Sequence, residues 1–146
     1  MLFAFHLLWI NDLQNADKKI TELELHISKE KLPQITIPII YGGTKALRAE
    51  YFSRLGRKDL ALSIAKSLDS KDIAHFARVI YADMGMAHEA VQIMREYLKT
   101  DQYYYSYYEL LHSVFYERIR NDPEFQHLLI ERKPIYDDMV RKYRIK

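Results

Sequence analysis

An all-α fold built from repeated helical hairpins is what this sequence predicts, and three observations predict it. First, Phe52, Leu55, Gly56 and Ala61 recur 29 residues later as Tyr81, Met84, Gly85 and Ala90. In both copies an aromatic precedes a glycine by four residues and an alanine follows it by five, the order that a helix, a tight turn and a second helix packed on the first require. Second, four Gly and four Pro among 146 residues are few for an all-β or disordered chain. Third, the apolar residues between the turns fall at helical spacing. Together these predict an α-solenoid of about three helical hairpins closed by a C-terminal capping helix.

The elements follow in order. Residues 1–31 read as a degenerate hairpin, with a break near Asn11 and Asp12 and with Ile20, Leu23 and Ile27 on one face of the second helix. The run Leu2 to Ile10 is apolar apart from His6, yet nine residues fall short of the ~20 that a spanning helix needs. It also lacks the preceding basic residues and the small-residue cleavage site of a signal peptide, so it reads as a core helix. Residues 32–43 read as an extended connector, because Pro33 and Pro38 bracket alternating isoleucines and Gly42-Gly43 suits a turn. The first repeat, 44–69, starts with Thr44 as N-cap, ends its first helix at Gly56 and carries Ala61, Ile64, Ala65 and Leu68 on its second. The second repeat, 70–99, starts at Ser70, turns at Gly85 and continues through Ala87, Ala90, Val91, Met94 and Leu98.

A third hairpin occupies 101–130. Tyr103 to Tyr116 is expected as one long aromatic helix with Tyr104, Tyr108, Leu111 and Phe115 on a shared face. Asp122 then caps a helix that has Pro123 at its first position and Glu124 near its positive end. Pro134 is expected to start the capping helix, 134–146, with Ile135, Met139 and Tyr143 sealing the stack.

These features resemble the tetratricopeptide-repeat family on Ala49, Phe52, Gly56 and Ala61 in one copy and Tyr81, Gly85 and Ala90 in the other. The aromatic helix and the run Arg120-Asn121-Asp122-Pro123-Glu124-Phe125 are similar to the C-terminal end of repeat arrays in bacterial regulatory and signalling proteins. The likeness covers roughly residues 38–130. Its departures are the repeat length, which is about 34 in the family, Arg78 in place of the small residue, and Lys45 or Ala74 at the family's tryptophan position. The resemblance implies a right-handed superhelix acting as a non-catalytic protein-interaction module within a larger bacterial regulator. Its concave groove would hold a peptide or helix of a partner. The residues matching that groove are Glu50, Ser53 and Arg54 from the first repeat and Asp72, His75, Val79 and Asp83 from the second.

Chemistry finds little support. Without cysteine there is no disulfide, thiol nucleophile or Cys-zinc site, and the same composition fits either redox compartment. Two Glu-x-x-His pairs, Glu109/His112 and Glu124/His127, have the spacing of carboxylate-bridged di-iron bundles, but Pro123 separates them and the helices are short, so no metal is expected. No phosphate-binding glycine loop or nucleophile elbow occurs, so no cofactor and no enzyme activity are expected. A net charge of +2, and a tyrosine-rich stretch from Tyr103 to Leu111 with no basic residue, argue against nucleic acid. A second reading, of a different class, is a small-molecule or peptide sensor with an aromatic pocket near the C-terminal hairpins.

Overall fold

The computed structural model describes residues 2–29, 37–68, 74–98 and 107–143. Among them every regular element is helical: α1 (Leu2–Trp9), α2 (Leu13–Lys29), α3 (Ile37–Arg54), α4 (Lys58–Ser67), α5 (Ala74–Asp83), α6 (Ala87–Leu98), α7 (Tyr107–His112), a 3-10 helix (Val114–Ile119) and α8 (Pro123–Tyr143). No strand is present among these residues. The chain divides into two compact units, Met1–Ile80 and Tyr81–Lys146.

In the first unit α1 packs on α2 and α3, and α3 packs in turn on α2 and α4. Ala4, Leu7 and Leu8 of α1, Ala16 and Ile20 of α2 and Leu47 of α3 form one buried cluster, with Leu13, Leu23 and Tyr51 packed against it. The helix α3 is central, and it corrects the sequence reading at its start. Residues 37–43 are helical, not an extended connector, and the Gly42-Gly43 pair is buried inside the helix. Thr44 is not a cap; its hydroxyl donates to the Ile40 carbonyl at 2.8 Å, one turn back. The physical reason is burial. Each mid-helix glycine costs about 1 kcal/mol relative to alanine, and packing against three neighbouring helices outweighs that. Pro38 is tolerated because it sits in the first turn, where its missing N–H would have had no helical partner.

Three turns between helices share one geometry. After α1, α3 and α5 the chain passes through Asn11 (φ 60°), Gly56 (φ 75°) and Gly85 (φ 76°), all in the left-handed region. The next residue's N–H reaches back to Leu7, Phe52 or Tyr81, at 2.9, 2.8 and 2.9 Å. The left-handed residue itself donates to Leu8, Ser53 or Ala82. This pair of bonds is a Schellman closure, which satisfies carbonyls that a helix end would leave unpaired. The carbonyl that follows then accepts the first bond of the next helix, from Ala16, Ala61 or Ala90, each fully buried. A bare Cβ at these alanines is what allows the second helix to lie close to its neighbours.

The second unit has an aromatic core. Val91, Met94, Leu110, Tyr116, Ile119, Phe125 and Leu128 are all buried, with Tyr81, Tyr107, Leu111 and Phe115 against them, and the Tyr116 and Phe125 rings stand 5.6 Å apart. The expected long aromatic helix is broken here. Residues 107–112 are α-helical, Ser113 is extended, and a 3-10 helix follows. Ser113 caps that 3-10 helix by accepting from the Phe115 N–H at 3.4 Å. The Arg120 guanidinium donates to the Leu111 and Ser113 carbonyls, the second at 2.7 Å, so two acceptors freed by the break are satisfied. Tyr108 consequently points out, 59% exposed, whereas Tyr116 takes the inward place. Tyr104 lies outside the described residues.

Asp122 caps α8 through a 2.9 Å bond from the Glu124 N–H, with Pro123 as the first helical residue. The helix then continues past Pro134, which is interior and starts no new element. Ile130, whose carbonyl the proline cannot bond, and Pro134 are both exposed. Ile135, expected to seal the core, is 55% exposed, and the Tyr143 side chain lies outside the described residues.

Candidate interaction surface

The sequence singles out Glu50, Ser53 and Arg54 on α3, Asp72 ahead of α5, and His75, Val79 and Asp83 on α5. Asp72 and the side chain of His75 lie outside the described residues. Val79, half-buried, belongs to the first unit, and Asp83 to the second.

The α3 trio is brought together one turn apart, but deeper than an open groove would place it. Glu50 and Ser53 are both buried, each 8% exposed. Arg54, half-buried, donates Nε and Nη2 to Glu50 Oε1 at 3.1 and 2.8 Å. A carboxylate at that depth needs a cation or several donors to remain charged, and the i,i+4 guanidinium supplies one. Ser53 Oγ is buried and makes no hydrogen bond. Of the three, Arg54 is the member that a partner could reach. On the second unit, Asp83 Oδ1 lies 3.6 Å from Arg118 Nε, while its Oδ2 is buried without a hydrogen-bond partner.

A more extensive constellation, on residues the sequence did not single out, surrounds Arg48. Its Nη1 donates to Asp17, its Nε and Nη2 to Glu24 at 3.1 and 2.8 Å, and Nη2 also to Thr21 at 2.9 Å. Its guanidinium carbon lies 5.5 Å from the Tyr51 ring centroid and 6.0 Å from that of Phe52. The hydrogen bond to Glu24 chiefly, opposed by burial and assisted by Asp17, raises the Arg48 pKa above its ordinary value. One side chain thereby ties α3 to α2. The signal was present as Asp17, Thr21 and Glu24, which fall on one helical face at i, i+4 and i+7.

The second unit carries a ladder across α6 and α8. Arg95 bridges Glu124 at 3.5 Å and Glu131 at 3.0 Å, His88 Nδ1 lies 3.0 Å from Glu124, and His127 Nδ1 lies 2.7 Å from Glu131. With its proton on Nδ1, His88 donates to Glu124 and accepts from Gln92 at 2.9 Å. Glu124 and His127, one of the two Glu-x-x-His pairs, therefore engage charges on their two helices. Among the described residues no three His, Asp or Glu side chains gather as a metal site would require. No described helix is long and apolar enough to cross a membrane.

Of the aromatic side chains that would line a sensor pocket, Tyr116 packs on Phe125 and Tyr107 lies 5.6 Å from Tyr136, whereas Tyr108 is exposed beside His112. Burial, and secondarily the charge of Glu89, raises the Tyr81 phenol above its ordinary value. Compared with known families, characterised proteins and solved structures, the chain finds no match.

Proposed function

We propose that this chain is a non-catalytic protein-interaction module, a stack of tetratricopeptide-like helical hairpins that presents the first helix of each hairpin to a peptide or helix of a partner. The observation that supports it is the threefold recurrence of one turn, at Asn11, Gly56 and Gly85, with the same pair of bonds and the same buried alanine five residues on. Such a recurrence is what a solenoid of helical hairpins would show, and the recurring use of that architecture is an extended surface. In the first unit the working surface centres on Arg54, over the buried Glu50 and Ser53, where a guanidinium already held by one carboxylate offers its free edge to a second acceptor. A role inside a larger bacterial regulator follows from the likeness of the 120–125 run and stands with this reading.

The test is affinity capture with the full chain and with Arg54→Gln, which keeps the stem and removes the charge. A protein held by wild type and lost by a variant of matching melting temperature supports the reading. Equal capture by both, or none by either, removes Arg54 from the working surface.

A further inference from the structure

The shared turn sets α1 in correspondence with α3: Ala4, Leu7, Asn11 and Ala16 occupy the places of Ala49, Phe52, Gly56 and Ala61. That register sorts the exposed side chains of α1 and its turn into two rows. Trp9 and Ile10 stand where Arg54 and Leu55 stand, and Leu55, 48% exposed, is open on α3 as well. Their exposure is ordinary for the place. Phe3 and His6 stand where Arg48 and Tyr51 stand, and in this row the two helices differ. On α3 the row is covered: Asp17, Thr21 and Glu24 of α2 close over Arg48, and Tyr51 packs on the cluster that α1 and α2 share. On α1 both positions are exposed, Phe3 at 59%. The place that α2 takes on α3 is open on α1.

We propose that α1 binds an amphipathic helix of a partner, laid on it as α2 lies on α3, with apolar residues at the three positions where α2 has Asp17, Thr21 and Glu24. Those three fall at i, i+4 and i+7 and meet one guanidinium. A phenyl ring in the guanidinium's place gives a carboxylate no donor, and residues 1–11 hold no Lys or Arg to stand in for it. Burying an unpaired charge there is costly, so the complementary residues are apolar. The outer face of the same helix is polar. Helical stacks end in a polar surface, as α8 does with Glu131, Lys133, Asp138 and Arg141 exposed, and α1 holds no Asp, Glu, Lys or Arg with which to make one. The α1 of a second copy would leave that end as apolar as before, whereas a helix of the α2 kind closes it. With eight residues in α1 against eighteen in α3, the contact is short and the binding weak. This row is separate from the Arg54 surface, and the inference does not rest on it.

The test titrates the full chain, by isothermal calorimetry, with two synthetic peptides of the α2 sequence Leu13–Lys29: the native one, and one carrying Asp17→Leu, Thr21→Leu and Glu24→Leu. Wild type should bind the leucine peptide about tenfold more tightly than the native peptide. Phe3→Arg, a change at an exposed position that recreates the Arg48 environment, should reverse that order. A reversal is what general adhesion of an apolar peptide does not produce. Ile10→Gln, in the row that is open on α3, should bind as wild type does. Four outcomes overturn the inference: neither peptide bound at millimolar concentration, a leucine-peptide preference kept by Phe3→Arg at unchanged helicity by circular dichroism, binding lost in Ile10→Gln, or a wild type that ignores both peptides and binds phosphatidylcholine vesicles through Phe3.

Discussion

The turn that joins α3 to α4 and the break that follows α7 close helix ends by opposite means. At Gly56 the backbone supplies everything: a left-handed residue folds the next N–H back onto the Phe52 carbonyl, and no side chain takes part. After α7 the backbone leaves that work to side chains, with Arg120 reaching from nine residues away in sequence to hold the Leu111 carbonyl and with Ser113 capping the 3-10 helix. The first solution depends on local sequence and recurs wherever a glycine or asparagine falls at the right place. The second depends on one distant residue and occurs once among the described residues. The cores differ as well: the first-unit cluster is aliphatic, on Leu7, Leu8, Ile20 and Leu47 with Ala4 and Ala16, whereas the second unit adds the packed rings of Tyr116 and Phe125 to its buried alanines.

The largest expected effect breaks the aromatic side of this comparison. Phe125→Ala removes a fully buried ring that packs on Tyr116, and should destabilise the chain by about 3–5 kcal/mol. Chemical denaturation should show it, and a loss below about 1 kcal/mol would mean that the site collapses to fill the space. The next effect addresses the alanine side. Ala16→Leu, Ala61→Leu and Ala90→Leu each force extra volume into a position with no exposure, and each should cost about 1–3 kcal/mol. Equal losses at all three would sharpen the equivalence of the hairpins, whereas an unaffected Ala16→Leu would separate the first hairpin from the others. The smallest effect isolates the turn. A Cβ on Gly85 meets nothing within 4 Å, so Gly85→Ala feels only its positive φ and should lose about 1–2 kcal/mol. Asn11→Ala should lose a similar amount, read as a shift in thermal midpoint.

Much of the hairpin architecture was legible because its signals are local. Gly56 and Gly85 announced their turns, Ala61 and Ala90 their contacts, and Asp122-Pro123 the start of α8. The first hairpin was legible only as degenerate, since Leu7 replaces the aromatic and Asn11 the glycine, although asparagine tolerates the left-handed region better than other side chains do. Of the candidate surface, the spacing that sets Glu50 beside Arg54 was readable, but their depth was not. Depth depends on what packs over α3, and the sequence of α3 does not contain it.

The sequence by itself determined that the chain is helical, that it turns at Gly56 and Gly85 and that Ala61 and Ala90 are buried after those turns, because capping, left-handed φ and helical periodicity act within a few residues. Tertiary structure decided the rest. It carried α3 back through two glycines to Ile37, broke the tyrosine helix at Ser113, ran α8 through Pro134 and enclosed Arg48 between two carboxylates. In each case the local preference amounts to about 1–3 kcal/mol, and the burial or ion pairing of residues distant in sequence is large enough to override it.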